Sequence, residues 1–312
     1  MSDHCEGQKF FNPHTGRGLK TIWDVLRWRL FAKRIPWPAT LDDVVPHAFP
    51  TQVPGSKVAV TFVGHDTFLL QYPGGVNMLT DPVWSERASP FTWLGPQRVR
   101  RPGIAFEDLP RIHAVLISHN HYDHLDRKTL GRLARHKPKV LVPLKNRVTM
   151  GDLGLDVIEL DWWDRYMLGD LRITLTPAQH WSNRLIDRNR ALWGGFWIDG
   201  PPSLFFAGDT GYRQGLFSEI RERLGTPDVS LLPMGTYEPR EFMNLHHMNP
   251  DDAVLAHIDL DSRQSIGMHF GTFHLSDEAI DAPLRETQEA LEKHGIPLEK
   301  FRVPHFGETL VF

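Results

Sequence analysis

His119-Asn120-His121-Tyr122-Asp123-His124 packs four strong metal ligands into six residues. An apolar run, Ala114-Val115-Leu116-Ile117, comes directly before them and reads as a buried strand. Histidines at i and i+2 can point the same way off an extended loop. Asp123 and His124 then fall where the chain turns toward a helix. One catalytic zinc uses about three protein ligands and keeps a position open. This loop alone brings four, so the spacing predicts two adjacent ligand sets and a second metal. The competing reading is a polar loop in a chain with 17 histidines. Order, spacing and strand context argue against it.

Such ligands need a rigid scaffold, and the flanking patterns supply one. Strands are expected over residues 58–63, 66–71 and 76–80, with Pro73-Gly74-Gly75 turning the last two into a hairpin. A helix over 127–136 and a strand over 140–142 follow the metal loop. In the second half, strands are expected over 171–175, 191–198, 203–206, 229–232 and 265–268. Several end at a polar or glycine residue, among them His180, Asp209, Gly235 and His269. That places the chemistry on one rim of stacked sheets, where loops on a scaffold usually carry function. His180, Asp209 and His269 raise the ligand set to seven: His119, His121, Asp123, His124, His180, Asp209 and His269.

Residues 1–19 read as a loose leader, 21–34 as a helix ended by Pro36 and Pro38, and 82–104 as a long loop rich in aromatic and arginine residues. The expected division is a leader and helix over 1–57 and one α/β domain over 58–312. The two halves share an architecture but show no sequence repeat.

The 312 residues are 41% hydrophobic with a net charge of -3, so no basic field points to nucleic acid. Cys5 is the single cysteine, which excludes disulfides within the chain and disfavours a thiolate metal site. A reducing, cytoplasmic setting fits. No secretory signal is visible over residues 1–11, and no apolar stretch reaches the roughly 18 residues of a membrane span.

The ordered set of seven ligands resembles that of the metallo-β-lactamase superfamily, whose mark is a His-x-His-x-Asp-His loop followed by a distant His, Asp and His. Further stretches resemble the N-acyl-phosphatidylethanolamine-hydrolysing phospholipase D family: Val63-Gly64-His65, Leu79-Thr80-Asp81-Pro82, Arg87-Ala88-Ser89-Pro90, Asp161-Trp162-Trp163, Gln179-His180-Trp181, Tyr237-Glu238-Pro239-Arg240 and Gly271-Thr272-Phe273. The resemblance implies a metallo-β-lactamase-like αββα sandwich, two mixed β-sheets flanked by helices. It also implies two Zn2+ ions per chain, one on His119, His121 and His180, the other on Asp123, His124 and His269, with Asp209 bridging. All-nitrogen and oxygen ligation suits zinc without excluding iron or manganese. The diiron relatives carry Glu where His121 stands, which favours hydrolysis over redox chemistry. Ser182-Asn183 and Phe270 depart from the animal members near the site rim, and the leader is shorter.

By the same resemblance, Asp123, Asp209 and His247 are the catalytic candidates. Asp81 and His65 stand behind the metals and orient ligands. Tyr237, His246 and His274 are candidates for substrate contact. Arg87, Arg98, Arg100 and Arg101 suit phosphate attraction or a solvated surface. The implied activity is a zinc-dependent phosphodiesterase of phospholipase D type, acting on an N-acyl-phosphatidylethanolamine-like phospholipid. A lactonase or other ester hydrolase, and a lipid-binding protein with little turnover, are the alternatives. The 21–34 helix carries both apolar and basic residues. It reads either as a cap on the protein's own core or as a peripheral membrane contact on anionic lipid. A homodimer is compatible with all of these readings.

Overall fold

The computed structural model describes residues 2–14, 34–44, 49–184 and 187–312. Apart from Arg34, the helix expected over 21–34 lies outside the described residues. Where a leader without regular structure was expected, β1 (Cys5–Glu6) and β2 (Lys9–Phe10) form a small hairpin. Phe10 anchors it by joining the main core.

Alternation along the strands decides the layers. In β3 (Ala59–Gly64), Val60 and Phe62 face one core and Val63 the other; in β4 (Thr67–Tyr72), Phe68 and Leu70 oppose Leu69. Successive strand side chains point to opposite faces, so a strand apolar on both sides is covered on both sides. β5 (Val76–Thr80), β6 (Ala114–Leu116), β7 (Lys139–Pro143) and β8 (Asp156–Leu160) extend this sheet. The second sheet holds β9 (Arg165–Leu168), β10 (Leu171–Thr176), β11 (Gly195–Asp199), β12 (Leu204–Phe206), β13 (Val229–Pro233), β14 (Gln264–Met268) and β15 (Phe301–Arg302). β16 (Thr309–Val311) returns to the first sheet beside β3.

The strand orders are β16-β3-β4-β5-β6-β7-β8 and β9-β10-β11-β12-β13-β14-β15. In each sheet the first three pairings are antiparallel and the last three parallel. Each sheet is therefore mixed in the same way, and the likeness of the halves read from the sequence is a likeness of topology.

Helices cover the outer faces. α1 (Arg127–Leu133) packs Leu130 and Leu133 on the outer face of the first sheet. α2 (Arg147–Met150), α3 (Leu216–Leu224) and α4 (Arg240–Met243) are short. α5 (Pro250–Leu260) packs on β13 and β14, and α6 (Ala282–His294) packs on α5. A capping box between Asn249 and Asp252, with Pro250 at the first turn, starts α5. The result is the expected αββα sandwich.

One boundary differs from expectation. A strand was expected over 191–198, but β11 begins at Gly195. Leu192 N donates to Leu144 O and Gly194 N to Ser118 O. Those backbone groups tie the first sheet's loops instead of pairing within the second.

Candidate metal centre

Asp81 organises the metal loop from below. It follows β5, and its Oδ1 accepts from Ser118 N at 2.7 Å. Its Oδ2 accepts from Ser118 Oγ and lies 2.8 Å from His124 Nδ1. One buried carboxylate thus grips both ends of the loop. Within the loop, His124 N and Leu125 N donate to His121 O, closing a turn that runs into α1, which Asp126 caps. Arg184 donates to the carbonyls of Asn120 and Leu125 and lays its guanidinium 4.0 Å from the Tyr122 ring centre. Gly208, at φ +59°, lets Asp209 come close. A Cβ there would sit 2.5 Å from Ser118 Cβ.

The seven expected ligands converge, and they fall into two groups around Asp209. In the first, His119 Nε2 lies 2.8 Å from His121 Nδ1, and His180 Nε2 lies 3.4 Å from that same Nδ1. Asp209 Oδ2 is 3.9 Å from His119 Nε2 and 3.7 Å from His180 Nε2. In the second, His124 Nε2 lies 3.3 Å from Asp123 Oδ2 and 3.2 Å from Asp209 Oδ2. His269 Nε2 lies 3.6 Å from Asp123 Oδ2 and 3.1 Å from Asp209 Oδ1. Ligands around one tetrahedral zinc stand roughly 3.3 Å apart, given Zn–N distances of about 2.0–2.1 Å.

The donor set fits cations. His124 Nε2, His269 Nε2 and Asp209 Oδ1 are buried without hydrogen-bond partners. Burial pushes His119 and His180 down, and pushes His121 down to about 4, so these rings are neutral donors. Burial also disfavours charge on His124 and His269. The carboxylates of Asp209 and Asp123, joined at His269 by Asp66, outweigh it and hold both rings well above the usual imidazole range. Asp123 and Asp209 are held well below the carboxylate range, burial notwithstanding, by those same imidazoles. The geometry calls for positive charge between the two groups, which a divalent ion supplies in place of protons.

The back nitrogens are fixed as well. Ser118 Oγ lies 2.9 Å from His119 Nδ1, and His180 Nδ1 meets His246 O at 2.9 Å. These contacts set which nitrogen faces the centre. His65 stands behind Asp123, its Nε2 2.9 Å from Oδ2. His65, Asp81 and His269 all have positive φ, at 57°, 30° and 62°. Unfavourable backbone of this kind gathers at functional sites.

The other expected site residues separate. His247 joins the centre, its Nδ1 3.9 Å from Asp209 Oδ2. His246 borders it, its ring 6.0 Å from Trp181, which packs on His121 at 4.7 Å. Tyr237 is buried elsewhere and donates its hydroxyl to Glu286. His274 stacks on Trp37, 4.8 Å away. The four arginines of the long loop are committed to it or to its neighbours. Arg98 is buried and donates to Val83 O, Arg100 pairs with Asp43, Arg101 donates to Val44 O, and Arg87 donates to Gly95 O.

Sequence reasoning missed Asp66, Ser118 and Arg184. Asp66 is fully buried, both its oxygens lack hydrogen-bond partners, and Oδ2 lies 3.6 Å from His124 Nδ1. Burial pushes its carboxyl well above the ordinary range. Its only signal was its place beside His65 at a strand end.

A sequence model of the beta-lactamase superfamily domain matches residues 76–270. The chain belongs to this superfamily. Among relatives of this β-lactamase superfamily member is N-acyl-phosphatidylethanolamine-hydrolyzing phospholipase D 1 of Caenorhabditis elegans. It is 40% identical over 232 residues, 70% of this chain and 65% of the nematode protein. The mitochondrial N-acyl-phosphatidylethanolamine-hydrolyzing phospholipase D of Saccharomyces cerevisiae is 37% identical over 270 residues, 83% of this chain and 57% of the yeast protein. The chain spans less than two thirds of either relative's length. Among solved structures, Igni18, a novel metallo hydrolase from Ignicoccus hospitalis, superposes with a TM-score of 0.63 at 27% identity, over 82% of this chain and 98% of that one.

Proposed function

We propose that this superfamily member is a metal-dependent phosphodiesterase of phospholipase D type, holding two Zn2+ ions and hydrolysing an N-acyl-phosphatidylethanolamine-like lipid in the cytoplasm. The observation that carries the metal half is Asp209, which stands between two converging groups of ligands. The names and identities of the nematode and yeast relatives support the substrate half.

His119, His121 and His180 would hold one ion, Asp123, His124 and His269 the other, and Asp209 both. When bound, such ions supply Lewis-acid charge and a nucleophile from water near neutral pH. The remaining work belongs to the chain. Asp209 turns Oδ2 toward His119 and His180 of the first group and His124 of the second, and Oδ1 toward His269, so one carboxylate serves both groups. Asp81 and Ser118 fix the His124 and His119 rings against rotation. His247, pushed down to about 3 by burial, stays neutral and presents a ring N–H to a phosphoryl oxygen.

The test pairs elemental analysis with three substrates: the N-acyl phospholipid, a soluble phosphodiester and a lactone. The expected result is about two zinc ions per chain, with phosphatidate and an N-acylethanolamine released. Lactone turnover without phosphodiester turnover would sink the phosphodiesterase reading.

A further inference from the structure

The turn between β3 and β4 buries what such turns usually expose. β3 ends at Gly64 and β4 begins at Thr67, so His65 and Asp66 alone make the connection. Connecting segments normally run over the surface. Here both side chains are buried, Asp66 completely. The end of β5 pins the backbone. Thr80 Oγ1 donates to Asp66 O at 2.6 Å and accepts from Phe68 N at 2.9 Å, and Thr67 Oγ1 donates to Asp81 O at 2.7 Å. Asp66 is thereby set among the second group of ligands. One of its oxygens lies within 4.8 Å of ligand atoms of His124, Asp209 and His269.

The back nitrogens show one gap. Four ligand histidines turn Nε2 toward the centre: His119, His124, His180 and His269. A cation on Nε2 leaves the ring proton on Nδ1, where it needs an acceptor. His119 has Ser118 Oγ, His124 has Asp81 and His180 has the His246 carbonyl. His269 Nδ1 is buried without a partner.

The matching acceptor is Asp66, neither of whose oxygens has a hydrogen-bond partner. Buried polar groups are nearly always paired, so an orphan donor near an orphan acceptor calls for an explanation. His65 Nδ1 is also unpaired, but its ring faces His269 in the wrong way. The two ring centres are 4.1 Å apart. An in-plane N–H···N bond of about 2.9 Å would hold imidazole centres roughly 5 Å apart. These rings pack by their faces instead. Asp81 is already taken by Ser118 and His124.

We infer that Asp66 is a positioning residue, which accepts the Nδ1 proton of His269 and so presents Nε2 to the ion. It does for His269 what Ser118, Asp81 and the His246 carbonyl do for the other rings. The inference rests on the metal half of the proposed function and adds a residue outside the seven ligands.

The test uses the full chain and two variants of similar side-chain size, Asp66→Asn and Asp66→Leu. Asn keeps a carbonyl acceptor and Leu keeps none. Competition with a chromogenic chelator should show Asp66→Leu binding one zinc ion about 10–100-fold more weakly than wild type, with Asp66→Asn between the two. In cobalt-substituted protein, proton magnetic resonance reads the ring N–H of each ligand histidine as a strongly shifted, water-exchangeable signal. Asp66→Leu should lose one such signal that Asp66→Asn keeps. Leu also removes an unpaired buried carboxyl, so the metal-free variant should unfold at or above the wild-type temperature, which separates lost positioning from lost fold. Unchanged affinity in Asp66→Leu overturns the inference. So does equal loss in both variants, which would make Asp66 a source of charge and not an acceptor. Wild-type protein that binds fewer than two ions would overturn this inference and the dinuclear reading together. Asp66-dependent binding of two ions without phosphodiester turnover would uphold Asp66 and fail the proposed activity alone.

Discussion

His124 Nδ1 lies 2.8 Å from Asp81 Oδ2, and this contact leaves Nε2 as the nitrogen that faces the metal centre. A ring fixed from behind loses less freedom when it binds an ion. Partners of this kind are typically worth about 10–100-fold in metal affinity. Asp81→Ala should therefore weaken metal binding by about that factor. Competition with a chromogenic chelator measures it, and unchanged affinity would remove Asp81 from this role.

Asp209 faces both ligand groups, so its loss should reach both ions. Asp209→Ala should lower metal content below that of wild type and abolish nearly all turnover, with the circular dichroism preserved. Chelation of wild-type protein should lower its unfolding temperature, and added zinc should restore it, because a ligand bound only by the folded state stabilises it. Near-normal turnover in the variant would show that Asp209 does not bridge.

His247 touches the centre without belonging to either ligand group. His247→Ala should lower turnover by about 10²–10³, the usual worth of one positioned hydrogen-bond donor to developing charge, and leave metal content near wild type. Parallel loss of metal would make it a structural prop of the ligands instead.

His246 gives a prediction in pH. Burial, helped by His121 and Arg188, pushes it down to about 4 from an ordinary 6.5. As pH falls below 6.5, the unfolded chain takes up a proton that the folded chain refuses until about pH 4. Stability from this group is therefore lost as pH falls through that window, at roughly 1.4 kcal/mol per pH unit at most. His246→Gln should show a shallower loss of unfolding free energy over that range. Denaturant curves at stepped pH measure it, and identical slopes would contradict the shift.

The metal loop was legible because its ligands are crowded into one segment, and because His180, Asp209 and His269 each follow a short apolar strand. Strands buried on both faces leave long apolar runs, which is why the positions of β3, β6, β13 and β14 could be read. β9, with its mixed exposure, and the two-residue β15 lacked that signal. Helices α3, α5 and α6 escaped the reading, although Gly295 and the Asn249–Asp252 capping box marked two of their ends. Asp66 and Ser118 could not be found by spacing. Each is a lone polar residue whose meaning comes from a ring contributed by a distant segment.

The pairing of β16 with β3 has a consequence for synthesis. Thr61 and Thr309 face each other across that edge at 2.9 Å, 248 residues apart in the chain. At about 5–20 residues per second, a ribosome leaves β3 without this neighbour for roughly 12–50 s. During that interval Ala59-Val60-Thr61-Phe62-Val63 presents an open apolar edge, a template for pairing with another nascent chain. Closing that edge waits on a remote three-residue strand, a demand on synthesis to which the chemistry of the metal ligands is blind.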